Sequence, residues 1–325
     1  MVSTNLSRPE YTIVLDQLTR EFGRTRAVDN LSFRVKPGEV FGFIGPNGAG
    51  KTTSMRILAT LDMPTHGEAW VDGFSVVDDP DRVRGRLGWM PDGFGTYPYV
   101  NCEEYLDFFA RSYGLRGNAR RAALTKVMGF TQLDRLANKP IKGLSKGMKQ
   151  RLCLGRALIH DPSVLVLDEP AAGLDPRARI ELREMIAELA DEGKSLLVSS
   201  HILTELAEMC DRVGIIELGQ LLAVGTVDEI LGRDETTAKD IEQRNIELMV
   251  LSEPAETKAW LEQQEFVRVQ RIIGREFHFE FTGTEQQQAN LLAAMIDRGI
   301  VVTSFSSKRQ SLEDAFLHVT RGRVQ

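Results

Sequence analysis

The chain has 325 residues, 42 % hydrophobic and 26 % charged, with a net charge of −6, a globular composition long enough for two domains. The acidic balance argues against a general nucleic-acid binder. No stretch reaches the roughly 18 apolar residues that span a bilayer, and residues 1–10 are polar with no signal-peptide core. Cys102, Cys153 and Cys210 stand in no metal-type spacing, which argues against a disulfide framework and for small apolar core residues in a reducing compartment.

In chain order, residues 11–15 and 31–35 are rich in β-branched, aromatic and aliphatic side chains and predict strands. Phe22-Gly23 lies between them, and Pro37-Gly38 marks a turn. The apolar run 40–44 predicts a buried strand. Directly after it comes Gly45-Pro46-Asn47-Gly48-Ala49-Gly50-Lys51-Thr52, which fits G-x-x-x-x-G-K-S/T, and a helix is predicted over 53–59. Strand, glycine loop and helix start are what a phosphate needs. Glycines let backbone N–H groups curl around the oxygens, and the helix N-terminus adds partial positive charge. Gly45, Pro46, Asn47, Gly48, Ala49, Gly50, Lys51, Thr52 and Thr53 are therefore the predicted nucleotide-binding residues. Lys51 would reach the β- and γ-phosphates of ATP and Thr52 would place its hydroxyl on Mg²⁺.

Residues 69–71 predict a strand closed by the Asp72-Gly73 turn. From 94 to 160 the pattern turns helical: Asn101 and Glu104 form a capping box, Leu106, Phe109, Ala110 and Tyr113 recur at helical spacing, and further helices are predicted at 119–129 and 147–160. The α/β pattern resumes with strands 164–167, 195–198 and 213–216 and helices 177–191 and 202–209. Unbroken apolar strands alternating with helices predict a sheet covered on both faces. Residues 233–245 are polar and predict a linker. Beyond it, strand 246–251, helix 255–263, strands 266–273 and 276–281, helix 284–298, strand 300–306 and helix 311–319 approximate a split β-α-β-β-α-β unit with an added helix.

The apolar run 164–167 ends in Asp168-Glu169. An acid at the end of a buried strand is where a phosphate-loop enzyme holds Mg²⁺, so Asp168 takes that role. Glu169, one residue on, would sit by the γ-phosphate to orient and deprotonate water. Leu144-Ser145-Lys146-Gly147-Met148 opens a helix with Ser145 as N-cap.

The order of 45–52, 144–148, 164–169, Ala171-Ala172-Gly173-Leu174-Asp175 and His201 resembles the ATP-binding cassette (ABC) family over residues 11–225. The resemblance implies an α/β phosphate-loop NTPase domain over 9–232 with an inserted helical subdomain at 94–160. A small α+β, ferredoxin-like domain follows at 246–320. It implies two such chains, identical or paralogous, sandwiching two ATP molecules. Ser145 and Gly147 of one would meet the γ-phosphate held by the other, and Asp175 would link the two sites. His201 matches the histidine that contacts the γ-phosphate, and Phe22 the aromatic that stacks on adenine.

The chain departs from the family at three places. The signature reads Leu-Ser-Lys-Gly-Met rather than Leu-Ser-Gly-Gly-Gln, so Lys146 adds a charge near the triphosphate. Asp92 replaces the usual glutamine; it is shorter and charged, but able to contact Mg²⁺. Ala171-Ala172 replaces a small polar pair. Pro91-Asp92, the Lys146 signature and Ser311-Leu312-Glu313-Asp314-Ala315-Phe316-Leu317 look like ATPase subunits of ABC-2 type transporters, in which export is usual and a separate transmembrane permease holds the ATPase on the inner face of the cell membrane. Phe94, Tyr97 and Tyr99 would anchor that partner, and no nucleic acid is expected. The competing readings are a soluble ABC-type ATPase acting on ribosomes or DNA, and a nucleotide-gated scaffold with little turnover. One cassette and no sustained heptads speak against the former, and Glu169 with His201 against the latter.

Overall fold

In the computed structural model of the chain, residues 9–230, apart from 94, 96 and 98, and residues 242–309 are described. They divide into two units, one up to Val227 and one from Asp228, each with its own hydrophobic core. The first unit runs β1 (Ile13–Phe22), β2 (Thr25–Val35), β3 (Val40–Ile44), α1 (Lys51–Leu58), β4 (His66–Val71), β5 (Phe74–Ser75), α2 (Pro80–Arg86), β6 (Leu87–Met90), α3 (Cys102–Ser112), α4 (Gly117–Phe130) and α5 (Lys146–Leu158). It continues with β7 (Val164–Leu167), α6 (Pro176–Asp191), β8 (Ser195–Ser200), α7 (Leu203–Ala207), β9 (Arg212–Glu217) and β10 (Gln220–Thr226), and α8 (Val227–Ile230) lies at the boundary.

Two sheets result. One is antiparallel, in the order β2-β1-β4-β5. The other runs β10-β9-β3-β8-β7-β6. It is parallel from β9 to β6 and antiparallel only at β10. β3, β7 and β8 are buried along their whole length, as strands covered on both faces must be. The core between the sheets joins Phe33 of β2 to Phe41 and Phe43 of β3. Beside it, α3, α4 and α5 pack on one another, and Asn101 and Glu104 form the expected capping box.

Three strand readings change. β1 and β2 extend well past 11–15 and 31–35 to meet at Phe22↔Thr25. Their outer halves are polar because they lie on an open hairpin, where Arg26 pairs with Glu21 and Asp29. β6, over 87–90, escapes the sequence because it is short and carries Gly88. A Cβ there would strike the carbonyl of Ala157 on α5, so close packing, not strand propensity, selects the residue. β10 is an edge strand with alternating exposure, its apolar stretch Leu221-Leu222-Ala223-Val224 following closely on the Leu218-Gly219 turn from β9.

The second unit is β11 (Glu242–Val250), α9 (Pro254–Leu261), β12 (Val267–Ile273), β13 (Glu276–Gly283), α10 (Glu285–Asp297) and β14 (Val302–Arg309). Its antiparallel sheet has the order β12-β13-β11-β14, that of a split β-α-β-β-α-β unit. Phe277, Phe279 and Phe281 alternate on one face of β13 and pack with Ile246 and Leu248 of β11. The linker reading of 233–245 is corrected at its end, since residues 242–245 belong to β11. They read as linker because they are polar, yet Arg244 is buried with its guanidinium donating to Gln288 Oε1 at 3.0 Å. The helix expected at 311–319, the 311–317 motif and Phe94 lie outside the described residues.

Candidate active site

β3, β8, β7 and β6 are neighbours in register. Ile44 lies beside Ser200, Leu167 beside Val198, and Met90 beside Leu167. Their carboxyl ends therefore deliver the glycine loop, Ser199 to His201, the Asp168-Glu169 pair and Asp92 to one edge of the sheet. Parallel α/β sheets bind ligands there.

The loop needs its glycines for two separate reasons. Gly48 and Gly50 have φ of 82° and 105°, the region that glycine enters without strain. At Gly45 and Gly50 a Cβ would also collide with the carbonyl oxygens of Ile216 and Ala27. Gly50 caps α1 without a side chain, and the first-turn N–H groups, at Lys51, Thr52 and Thr53, have no intrahelical acceptor. Lys51 is only 5 % exposed. Its Nζ donates to the carbonyl of Gly45 at 2.5 Å and of Pro46 at 3.3 Å, and it faces Glu169 Oε1 at 3.5 Å. Burial pulls the pKa of this ammonium down, against the pull of Glu169 and Asp168. A buried ammonium beside a loop of backbone N–H donors fits a triphosphate.

Asp168 is buried. Burial pushes its carboxyl pKa up, hydrogen bonds from Ser199 and Thr52 bring it down, and neighbouring Glu169 and Asp92 push it up again. A bound cation would relieve that desolvation and repulsion. The Thr52 hydroxyl and the Asp168 carboxylate are hard oxygen donors that fit Mg²⁺, which binds through one or two protein oxygens plus phosphates. The described residues hold no group of three His, Cys, Asp or Glu placed to bind a metal unaided.

Glu169 adopts φ 48°, a left-handed conformation uncommon outside glycine and found preferentially at functional sites. Its N–H donates to Ser199 Oγ at 2.9 Å, and Oε2 lies 2.7 Å from His201 Nδ1. Oε1 is buried with no hydrogen-bond partner, a polar atom turned toward Lys51. Ser199 was legible only as the residue two before His201. It ties both acids, since its Oγ also donates to Asp168 Oδ1 at 2.7 Å. The signal that could have found it is a pair of small hydroxyl residues closing an apolar strand. Ser199→Ala orphans the Glu169 N–H and strips a donor from a buried carboxyl. We expect a loss of about 2–3 kcal/mol, read as a lowered urea midpoint at unchanged slope.

The structure gathers Lys51, Thr52, Asp168, Glu169 and His201, with Asp92 within electrostatic reach. The other predicted residues make contacts of their own. Ser145 caps α5 by accepting from the N–H of Met148 at 3.3 Å, and Gly147 beside it leaves room for Ala178. Asp175 caps α6 by accepting from the N–H of Ala178 at 2.9 Å. Lys146 is turned onto its own chain, with Nζ against Gly173. Phe22 is 47 % exposed at the hairpin tip, under the guanidinium of Arg20 at 4.4 Å. Tyr99, 96 % exposed, and Tyr97 stand on the loop after β6.

The chain is 33 % identical over 314 residues to the uncharacterized ABC transporter ATP-binding protein YcbN of Bacillus subtilis (strain 168), covering 96 % of this chain and 98 % of that one. The chain belongs to the ABC transporter ATP-binding proteins. The ABC transporter family profile matches residues 28–172. A second relative, the probable multidrug ABC transporter ATP-binding protein YbhF of Escherichia coli (strain K12), is 37 % identical over 243 residues, or 74 % of this chain. The chain spans 42 % of that relative's length. Among solved structures, the dimeric post-hydrolysis state of the ATP-binding cassette MJ0796 bound to ADP and Pi superposes with a TM-score of 0.60 at 25 % identity, over 66 % of this chain and 98 % of that one. The ABC fold read from the five motifs is thus the fold of the first unit.

Proposed function

We propose that the chain binds ATP with Mg²⁺ and hydrolyses it to power an ABC-2 type exporter, each site being completed by a second copy or a paralogue. The observation that carries this is the meeting of Lys51, Asp168, Glu169 and His201 at one strand edge, with a 2.7 Å contact between Glu169 and His201. Lys51 and the amides of the 45–53 loop hold the triphosphate. Thr52 and Asp168 hold Mg²⁺, with Asp92 beside them. Mg²⁺, when bound, offsets phosphate charge. Glu169 takes the proton of the attacking water, while His201 holds that carboxylate from Oε2 and faces the γ-phosphate. Phe22 offers an exposed ring for the adenine. Ser145 and Gly147 approach the partner's γ-phosphate, and Asp175 starts the helix that follows the loop between the sites.

The dimeric MJ0796 structure supports the pairing, and the name of the Nod factor export ATP-binding protein I of Ralstonia nicotianae (strain ATCC BAA-1114 / GMI1000), 37 % identical over 217 residues, supports export. No helix among the described residues is long and apolar enough to cross a membrane, so this reading needs a separate permease, with the chain peripheral on the inner face of the membrane. Tyr97 and Tyr99 are exposed to meet it. The test is a pull-down of the native chain from detergent-solubilised membranes. A multispanning protein in near-equal amount is the expected result; recovery with ribosomes or DNA and no membrane protein contradicts it.

A further inference from the structure

His201 leaves the sheet between two residues that are held by a second cross-tie. Ser200 is 3 % exposed. Its Oγ accepts from the N–H of Ile202 at 3.0 Å and donates to Glu205 Oε2 at 3.3 Å. The Glu205 side chain, 10 % exposed, faces Arg179 Nε at 3.2 Å. Arg179 sits one turn into α6, the helix that Asp175 caps. Two segments leave the carboxyl edge here: β7 through Glu169 into α6, and β8 through His201 into α7. The Glu169–His201 contact joins them at the site, and Arg179–Glu205–Ser200 joins them again behind it.

We infer that Glu205 and Arg179 are positioning residues for His201, fixing the backbone on both sides of it so that Nδ1 meets Glu169. The inference rests on the reading of Glu169 and His201 given above. The physical case is one of geometry. His201 is half exposed, its side chain 45 % accessible, and packing alone does not set its rotamer. The ring is held at its tip by Glu169 and at its base by the turn, whose hydrogen bond passes through Ser200 to a carboxylate. That carboxylate is itself anchored on α6. Oε1 of Glu205 and Nε of Arg179 are buried with no hydrogen-bond partner apart from this ion pair. The Arg179 side chain is 39 % exposed, so the buried carboxylate of Glu205 is the fixed member of the tie and Arg179 its partner from α6. Site geometry of this kind, held from behind, is what keeps a reacting group within a fraction of an ångström of its place.

Glu205→Gln keeps an acceptor for Ser200 and removes the charge that holds Arg179; Arg179→Lys keeps the charge and loses the planar fork. The first readout needs no nucleotide. In the purified full-length chain, amide exchange at Ile202 is expected to rise about tenfold in Glu205→Gln and by less in Arg179→Lys. The second is turnover. Glu205→Gln is expected to lower kcat about tenfold with ATP affinity within about twofold, and in a His201→Ala background to cost less than about twofold more. A merely structural role would lower both backgrounds alike. Unchanged exchange at Ile202, or equal losses with and without His201, overturns the inference while leaving the proposed function standing. A wild-type chain with its permease that hydrolyses no ATP overturns the proposed function and the inference with it.

Discussion

Glu169→Gln is expected to lower ATP turnover by about 10³-fold while leaving ATP affinity within about twofold, because general-base catalysis is worth 10²–10⁴ and the triphosphate is held elsewhere. The amide is isosteric and can still meet His201 Nδ1, now 2.7 Å from Oε2. It cannot take a proton. The backbone holds the side chain in place by two features a Gln keeps: the φ of 48° and the N–H bond to Ser199 Oγ at 2.9 Å. Single-turnover phosphate release and equilibrium nucleotide binding, measured on the same sample, separate the two effects. Loss of binding in parallel with turnover would show that Glu169 holds the nucleotide rather than the water.

Lys51→Ala carries the second large effect, on binding rather than chemistry. Truncating one partner of a buried, hydrogen-bonded charge contact costs about 2–5 kcal/mol, so ATP affinity is expected to fall about 100-fold. The Nζ already sits at the mouth of the loop, 2.5 Å from the Gly45 carbonyl, and burial holds its pKa down. A phosphate would replace a neutral acceptor by a charged one at little reorganisation. Lys51→Arg should recover little of the loss, since the pocket is closed around an ammonium and a planar fork does not fit it. Titration of each variant with a fluorescent ATP analogue measures this; affinity within about threefold of wild type in Lys51→Ala would remove Lys51 from the triphosphate.

What was legible in the sequence was local. The glycine loop, the strand before it and the helix after it lie within about twenty residues, and their chemistry is written in glycine spacing and one lysine. Asp168 and Glu169 were legible because four apolar residues end in two acids. The helical caps at Asn101 and Ser145 follow from side chains that bond their own backbone. What was hidden depends on distant partners. β6 is a strand because β7 pairs with it, and Gly88 is glycine because α5 passes over it. Ser199 gains its role only when β8 lies beside β7, which places one hydroxyl between two acids thirty residues away. The contact of Lys146 Nζ with Gly173, whose φ of 66° leaves a backbone without a Cβ, is likewise hidden in the sequence. The polar outer half of the first hairpin and the start of β11 were misjudged for one reason: polar side chains on a strand report an open face or a buried pair, not the absence of a strand.

The central claim is that each chain carries two halves of different sites, Lys51 with Glu169 in one and Ser145 with Gly147 in the other. Mixing two variants, assayed at an ATP concentration that saturates the wild type but that Lys51→Ala scarcely binds, tests it most directly. Lys51→Ala disables only the loop half. Gly147→Asp puts a carboxylate at the signature half, where a new Cβ would lie in ordinary contact, 3.4 Å from Ala178 Cβ. In a mixed dimer one site carries both defects and the other carries neither. Random re-pairing makes half of the dimers mixed, so two inactive samples should together regain about a quarter of wild-type turnover. A mixture as inactive as its components, with subunit exchange shown to be complete, would contradict the shared site.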